Sequence, residues 1–117
     1  MLREHLAKPG TPNDPFRYRR WFSDEDFSLA VYYGNDNQII AFDLVYDWLQ
    51  KPICLRWSQE RGSNHYRMDS GDDSPQSNMT PILTRKVEPD ESYRNLFASA
   101  AAKIDDEIRF LILRQWQ

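Results

Sequence analysis

Apolar and polar residues alternate along Phe27–Tyr33, where Phe27, Leu29, Val31 and Tyr33 are separated by Ser28, Ala30 and Tyr32. A period of two is the signature of a strand with one face buried. Gly34-Asn35-Asp36-Asn37 follows, and all four residues tolerate turn dihedrals. In the next segment, Gln38–Asp47, Ile40, Phe42, Leu44 and Tyr46 form one set, and Ile39, Ala41, Asp43, Val45 and Asp47 the other. After a turn over Trp48–Pro52, Ile53, Leu55 and Trp57 alternate with Cys54, Arg56 and Ser58. The three segments read as an antiparallel β-meander.

The meander carries an expected register. If Tyr33 lies opposite Gln38, Leu29 faces Phe42 and Ser28 faces Asp43. If Asp47 lies opposite Pro52, Phe42 faces Trp57 and Asp43 faces Arg56. Both registers keep the apolar set on one face, which a one-residue slip would mix. Gln59–Asn64 reads as a polar loop, and His65–Asp69 as a fourth strand with His65 opposite Ser58. That pairing sends Tyr66 and Met68 to the core face and His65, Arg67 and Asp69 to the polar face. Ser70–Thr80 reads as a long surface loop, and Ile82–Val87 as a fifth strand, marked as an edge by Arg85 and Lys86.

The flanks differ. Residues 1–16 carry Pro9, Pro12 and Pro15 and read as a flexible arm, since proline blocks regular pairing. Arg17–Phe22 fits a short edge strand, and Ser23–Asp26 a capped acidic helical turn. At the other end Pro89-Asp90-Glu91 opens a helix, with Tyr93, Leu96, Phe97, Ala100 and Ala101 at helical spacing. One helix of ~25 residues would be ~38 Å long at ~1.5 Å per residue, longer than the ~23 Å of a seven-residue strand. Acids also favour a helix start. A break near Lys103–Asp106 is therefore expected, with Asp105 capping a second helix. The fold class is α+β: an antiparallel meander of four or five strands, with one or two C-terminal helices packed on one face. Residues 17–117 form one domain.

Composition narrows the function classes. The net charge of −3 lacks the basic excess of a nucleic-acid binder. Residues 23–50 hold six acids and no base, which fits a solvated surface or, as the sharper alternative, a surface polarised for a charged partner. Cys54 is the only cysteine, so no disulfide forms within the chain and a reducing, cytoplasmic setting is expected. It lies within a strand, and of its near neighbours only Arg56 could lower a thiol's pKa, so it is not a nucleophile candidate. No secretory leader and no membrane span is read from the sequence. Of the sixteen aromatic residues, Phe27, Tyr33, Phe42, Tyr46, Trp57 and Tyr66 lie on the predicted core face, which favours a core over a stacking platform for nucleic acid.

Two groups of residues could carry chemistry. The expected registers align Ser28, Asp43, Arg56 and Arg67 in a row across the polar face, with Ser58, His65 and Asp69 beside it. Two guanidinium groups near one carboxylate could hold an anion. The second group is the strand and loop His65–Asp73, which concentrates a histidine, an arginine and three acids, and in which a metal reading would use His65, Asp69 and Asp72. Their spacing matches no metal motif, so no metal and no cofactor is expected.

The segments Arg20-Trp21-Phe22-Ser23-Asp24, Phe42-Asp43-Leu44-Val45-Tyr46-Asp47, Leu55-Arg56-Trp57, His65-Tyr66-Arg67-Met68-Asp69-Ser70-Gly71-Asp72 and Thr80-Pro81-Ile82-Leu83 together resemble a family of small single-domain bacterial proteins with no assigned activity. The resemblance spans most of residues 20–115. It implies a bacterial, soluble, one-domain protein and carries over no activity.

The expected function is a non-catalytic binding or interaction module. Its contact surface is the polar sheet face with the 65–73 strand and loop: Asp43, Arg56, His65, Arg67, Asp69 and Asp72. The alternative is a small anion-binding protein or enzyme using His65 with Arg56, Arg67 and Asp43. The expected partner is a protein or a small anionic ligand, with neither nucleic acid nor membrane. Leu111–Trp116 is apolar nearly all round, so a homo-oligomer contact through Leu111, Leu113 and Trp116 is a further expectation.

Overall fold

The computed structural model describes residues 1–9, 18–47, 51–69 and 82–116. They form seven strands and two helices: β1 (Arg3–Pro9), β2 (Tyr18–Ser23), β3 (Phe27–Tyr33), β4 (Ile39–Tyr46), β5 (Ile53–Ser58), β6 (Gly62–Asp69), β7 (Ile82–Val87), α1 (Glu91–Ala100) and α2 (Asp106–Gln115). The strands make one antiparallel sheet in chain order, so the α+β meander stands. The sheet has seven strands, not four or five. The first extra strand comes from the expected arm: Arg3–Pro9 pairs with β2. Pro9 is tolerated because it ends an edge strand, where its missing N–H breaks no ladder. Residues 10–17, 48–50 and 70–81 lie outside the described residues, and with them most of the arm's prolines and the Ser70–Thr80 loop.

The helices and one sheet face enclose the core. Phe22, Phe27, Leu29, Val31, Phe42, Leu44, Tyr46 and Leu55 meet Phe97, Ala101, Ile108, Ile112 and Trp116 there. The helices break where expected. Asp90 caps α1 through Ser92, while Asp105 precedes α2 without a side-chain cap bond. Its carboxylate instead accepts from Arg20 at 2.7 Å, tying the interhelical link to β2. Trp116 is 2 % exposed, stacked on Tyr46 at 5.1 Å, and its indole N–H donates to the Asp90 carbonyl. It is thus a core residue of its own chain and not a surface for a second copy, which corrects its place in the expected oligomer contact. Leu111 and Leu113 are partly buried against the same core. The expected core residue Trp57 is also only partly buried, stacked on Phe42 at 5.6 Å.

Hairpin geometry decides three further corrections. Between β2 and β3 the Asp24 carboxylate accepts from the backbone N–H groups of Asp26 and Phe27. This local carboxylate turn replaces the expected helical turn. Between β3 and β4, Leu29 faces Leu44, Val31 faces Phe42 and Ser28 faces Val45, two residues from the expected register. A bulge at Ile40 follows, since Tyr32 faces Ala41 and Tyr33 faces Ile39. Ile39 thereby joins the core in place of Ile40. Between β4 and β5 the expected pairs hold: Phe42 faces Trp57 and Asp43 faces Arg56.

The β5–β6 hairpin is tighter than expected. Ser58 faces Gly62, not His65, so the loop is only Gln59-Glu60-Arg61. Gly62 has φ 71°, the left-handed conformation in which glycine avoids a side-chain clash. Three-residue hairpin loops commonly close on such a residue. The pairing moves by three residues, an odd number, and β6 turns over. Leu55 now faces His65 and Cys54 faces Tyr66.

Candidate functional site

The helix-free face carries the side chains that alternate with the core set: Ser28 and Tyr32 on β3, Asp43 and Val45 on β4, Cys54 and Arg56 on β5, and Asn64 and Tyr66 on β6. Asp43 and Arg56 form its centre. They are direct cross-strand partners, and Arg56 Nε and Nη2 donate to the two carboxylate oxygens at 2.7 and 3.2 Å. The carboxylate is buried, whereas 37 % of the Arg56 side chain stays exposed. Burial works against the guanidinium's charge, but the Asp43 carboxylate outweighs it and raises the Arg56 pKa.

Two further groups contact the carboxylate. The Tyr32 hydroxyl donates at 3.5 Å, and the Cys54 thiol lies at 3.9 Å. Burial, reinforced by the negative charge of Asp43, pushes Tyr32 up to about 12. The same two causes hold the Cys54 thiol well above its ordinary range. Tyr32 and Cys54 thus keep their protons at neutral pH, and the thiol carries no nucleophilic charge. Toward β1 the face becomes aromatic. His5 stacks on Trp21 at 4.1 Å and bonds the Ser23 hydroxyl at 2.6 Å, and the Trp21 indole donates to Ser28.

The expected row does not assemble as a row. Asp43 and Arg56 pair as foreseen. His65 and Arg67 do not join them, because the tight β5–β6 hairpin places both on the helix side of the sheet, opposite Leu55 and Ile53. This corrects their assignment to the polar face, and it corrects the core placement of Tyr66 and Met68. His65 is 1 % exposed, with Nδ1 bonded to the Tyr46 hydroxyl at 2.8 Å and, among the described residues, no partner for Nε2. Desolvation lowers its pKa to about 4, so it is neutral at pH 7. Ser28 lies opposite Val45, not Asp43. Asp69 ends β6 opposite Ile82, and Asp72 lies outside the described residues. A cleft of about 340 Å³ opens elsewhere, between α2 and the sheet, lined by Ile39, Trp57, Glu107, Leu111 and Arg114 among others. None of the expected site residues lines it.

Among the described residues, no three His, Cys, Asp or Glu side chains converge on a metal position, and no helix is long and apolar enough to cross a membrane. Sequence reasoning missed His5, Trp21, Asn64 and Tyr66 as members of this face, whereas the alternation of Tyr32 with Leu29 and Val31 sets Tyr32 there beside Ser28. His5 and Tyr66 had no such signal, since their positions depend on pairings that the pattern left open. Comparison of the chain with protein-family models, with curated proteins and with solved structures finds no match.

Proposed function

We propose that the protein is a non-catalytic interaction module that presents the helix-free face of its sheet to a polypeptide partner. The observation that supports this reading is the Asp43–Arg56 pair. Its charges cancel within the protein, and Arg56 stays accessible with Nη1 outside the carboxylate fork. A neutralised, oriented guanidinium beside the partly exposed Trp21, Asn64 and Tyr66 suits the mixed polar and aromatic character of a protein interface. The cation nearest the pair on this face is Arg19, opposite Tyr32 and engaged with its hydroxyl, whereas Arg67 stands on the other side of the sheet. The test is site-specific photo-cross-linking in the native host, with a benzophenone side chain at Tyr66 on the helix-free face and at Phe110 on α2. A discrete protein adduct from position 66, and none from position 110, is expected. Adducts from position 110 alone would overturn the reading.

A further inference from the structure

The edge strand β7 presents a second and different surface. Arg67 on β6 and Arg85 on β7 are direct cross-strand partners. Like charges in this position destabilise a sheet. Among the described residues neither arginine makes an ion pair or a side-chain hydrogen bond. The chain does not lack acids, with 18 against 15 lysines and arginines. Elsewhere in the same sheet it sets Asp43 opposite Arg56. At β6–β7 it sets arginine against arginine. Thr84, Arg85 and Lys86 are all exposed, and among the described residues β7 has no neighbour on its outer side.

We propose that the free edge of β7 binds an acidic peptide segment, laid alongside it as an additional strand, with carboxylates on Arg85, Lys86 and Arg67. An edge strand offers unpaired N–H and C=O groups to such a segment. Arg85 and Lys86 are consecutive and so point to opposite faces. A strand beside them therefore matches both with two adjacent acidic residues, one on each face. The acid facing Arg85 lies ~5 Å from β7 and ~10 Å from β6. The long Arg67 side chain can lean toward it from the inner strand. The same cations repel the β7 edge of a second copy, which separates an acidic partner from self-pairing. This surface is independent of the helix-free face.

The experiment uses the full chain and a fluorescein-labelled peptide of about eight valine and threonine residues with two adjacent glutamates at its centre. Binding is read by anisotropy. Arg85→Gln should weaken it about tenfold, as expected for the loss of a charge-assisted hydrogen bond. Arg67→Gln should weaken it less, and Arg61→Gln in the β5–β6 loop not at all. Binding should fall with added salt. A lysine-for-glutamate peptide should bind the double variant Arg85→Glu, Lys86→Glu and not the wild type, which separates recognition from a loss of folding. The β7 amides should gain protection from hydrogen exchange in the complex. Equal binding of a glutamine-for-glutamate peptide would overturn the proposal, as would unchanged affinity in Arg85→Gln. Saturable binding of inorganic phosphate with no binding of the peptide would overturn it too.

Discussion

His65 should make the fold sensitive to mild acid, and the structure sets the size of the effect. The imidazole is 1 % exposed beneath Trp116, whose ring lies edge-on at 5.4 Å. Around it stand Leu55 of β5, Val87 of β7 and Tyr46 of β4. The nearby acids are engaged elsewhere: Asp47 accepts from Tyr93, and Asp90 caps α1. Desolvation alone lowers the His65 pKa from 6.5 to about 4. The unfolded chain therefore binds more protons than the folded one between those values, and stability falls as pH falls. The contribution is complete above pH ~6.5. It drops by ~2 kcal/mol at pH 5 and by ~3 kcal/mol near pH 4, at ~1.4 kcal/mol per pH unit. Urea unfolding followed by tryptophan fluorescence at pH 7, 6 and 5 measures this, with Trp116 beside the titrating ring. For a chain of this size ~2 kcal/mol moves the midpoint by roughly 1–2 M. His65→Phe removes the titration. It also removes one of the two partners of the Tyr46 hydroxyl, which keeps its hydrogen bond with the Asp90 backbone, at a cost of ~1 kcal/mol at every pH. The comparison is thus between slopes, and the other histidine, His5, is common to both proteins. Equal losses from pH 7 to pH 5 in wild type and His65→Phe would refute the reasoning.

Two further predictions concern stability. Breaking the central pair should be asymmetric: Arg56→Ala leaves a buried carboxylate uncompensated, at a cost of ~2 kcal/mol, whereas Asp43→Asn keeps the shape and frees a half-exposed guanidinium, at a smaller cost. Chemical denaturation of the two variants checks the order, and a larger loss in Asp43→Asn would contradict it. Trp116→Ala should cost ~3–5 kcal/mol, because it empties a fully enclosed site, and Trp57→Ala clearly less, because that ring is only partly buried. Comparable midpoints for the two tryptophan variants would remove this distinction.

Local pattern determined the meander, the helix break and much of the core. Period-two alternation in β3, β4 and β5 is a property of each segment alone, and Asp90 marks a helix start by its own capping chemistry, while Asp105 stands at the second start without a cap bond. The Asp43–Arg56 pair was legible for the same reason, since both strands flank a turn whose register was constrained from both faces. Pairing between strands is a different quantity. In β3–β4 the register moved by two residues, which leaves the side chains from Ala41 to Tyr46 on their own faces, so alternation could not detect it, and only the bulge at Ile40 exchanged Ile39 for Ile40 in the core. In β5–β6 it moved by three, which turned the strand over and took His65 and Arg67 from the polar face to the helix side. That choice rests on a three-residue loop closed by Gly62 at positive φ, where a longer polar loop was equally compatible with the sequence. The alternation of β6 is weak, with Asn64, Tyr66 and Met68 against His65 and Arg67, so burial free energy read from the sequence could not decide which face turns inward. The tertiary structure decided it: Tyr46 offers His65 a hydrogen bond, Trp116 closes over the ring, and Arg67 is left facing Arg85 at the open edge of the sheet.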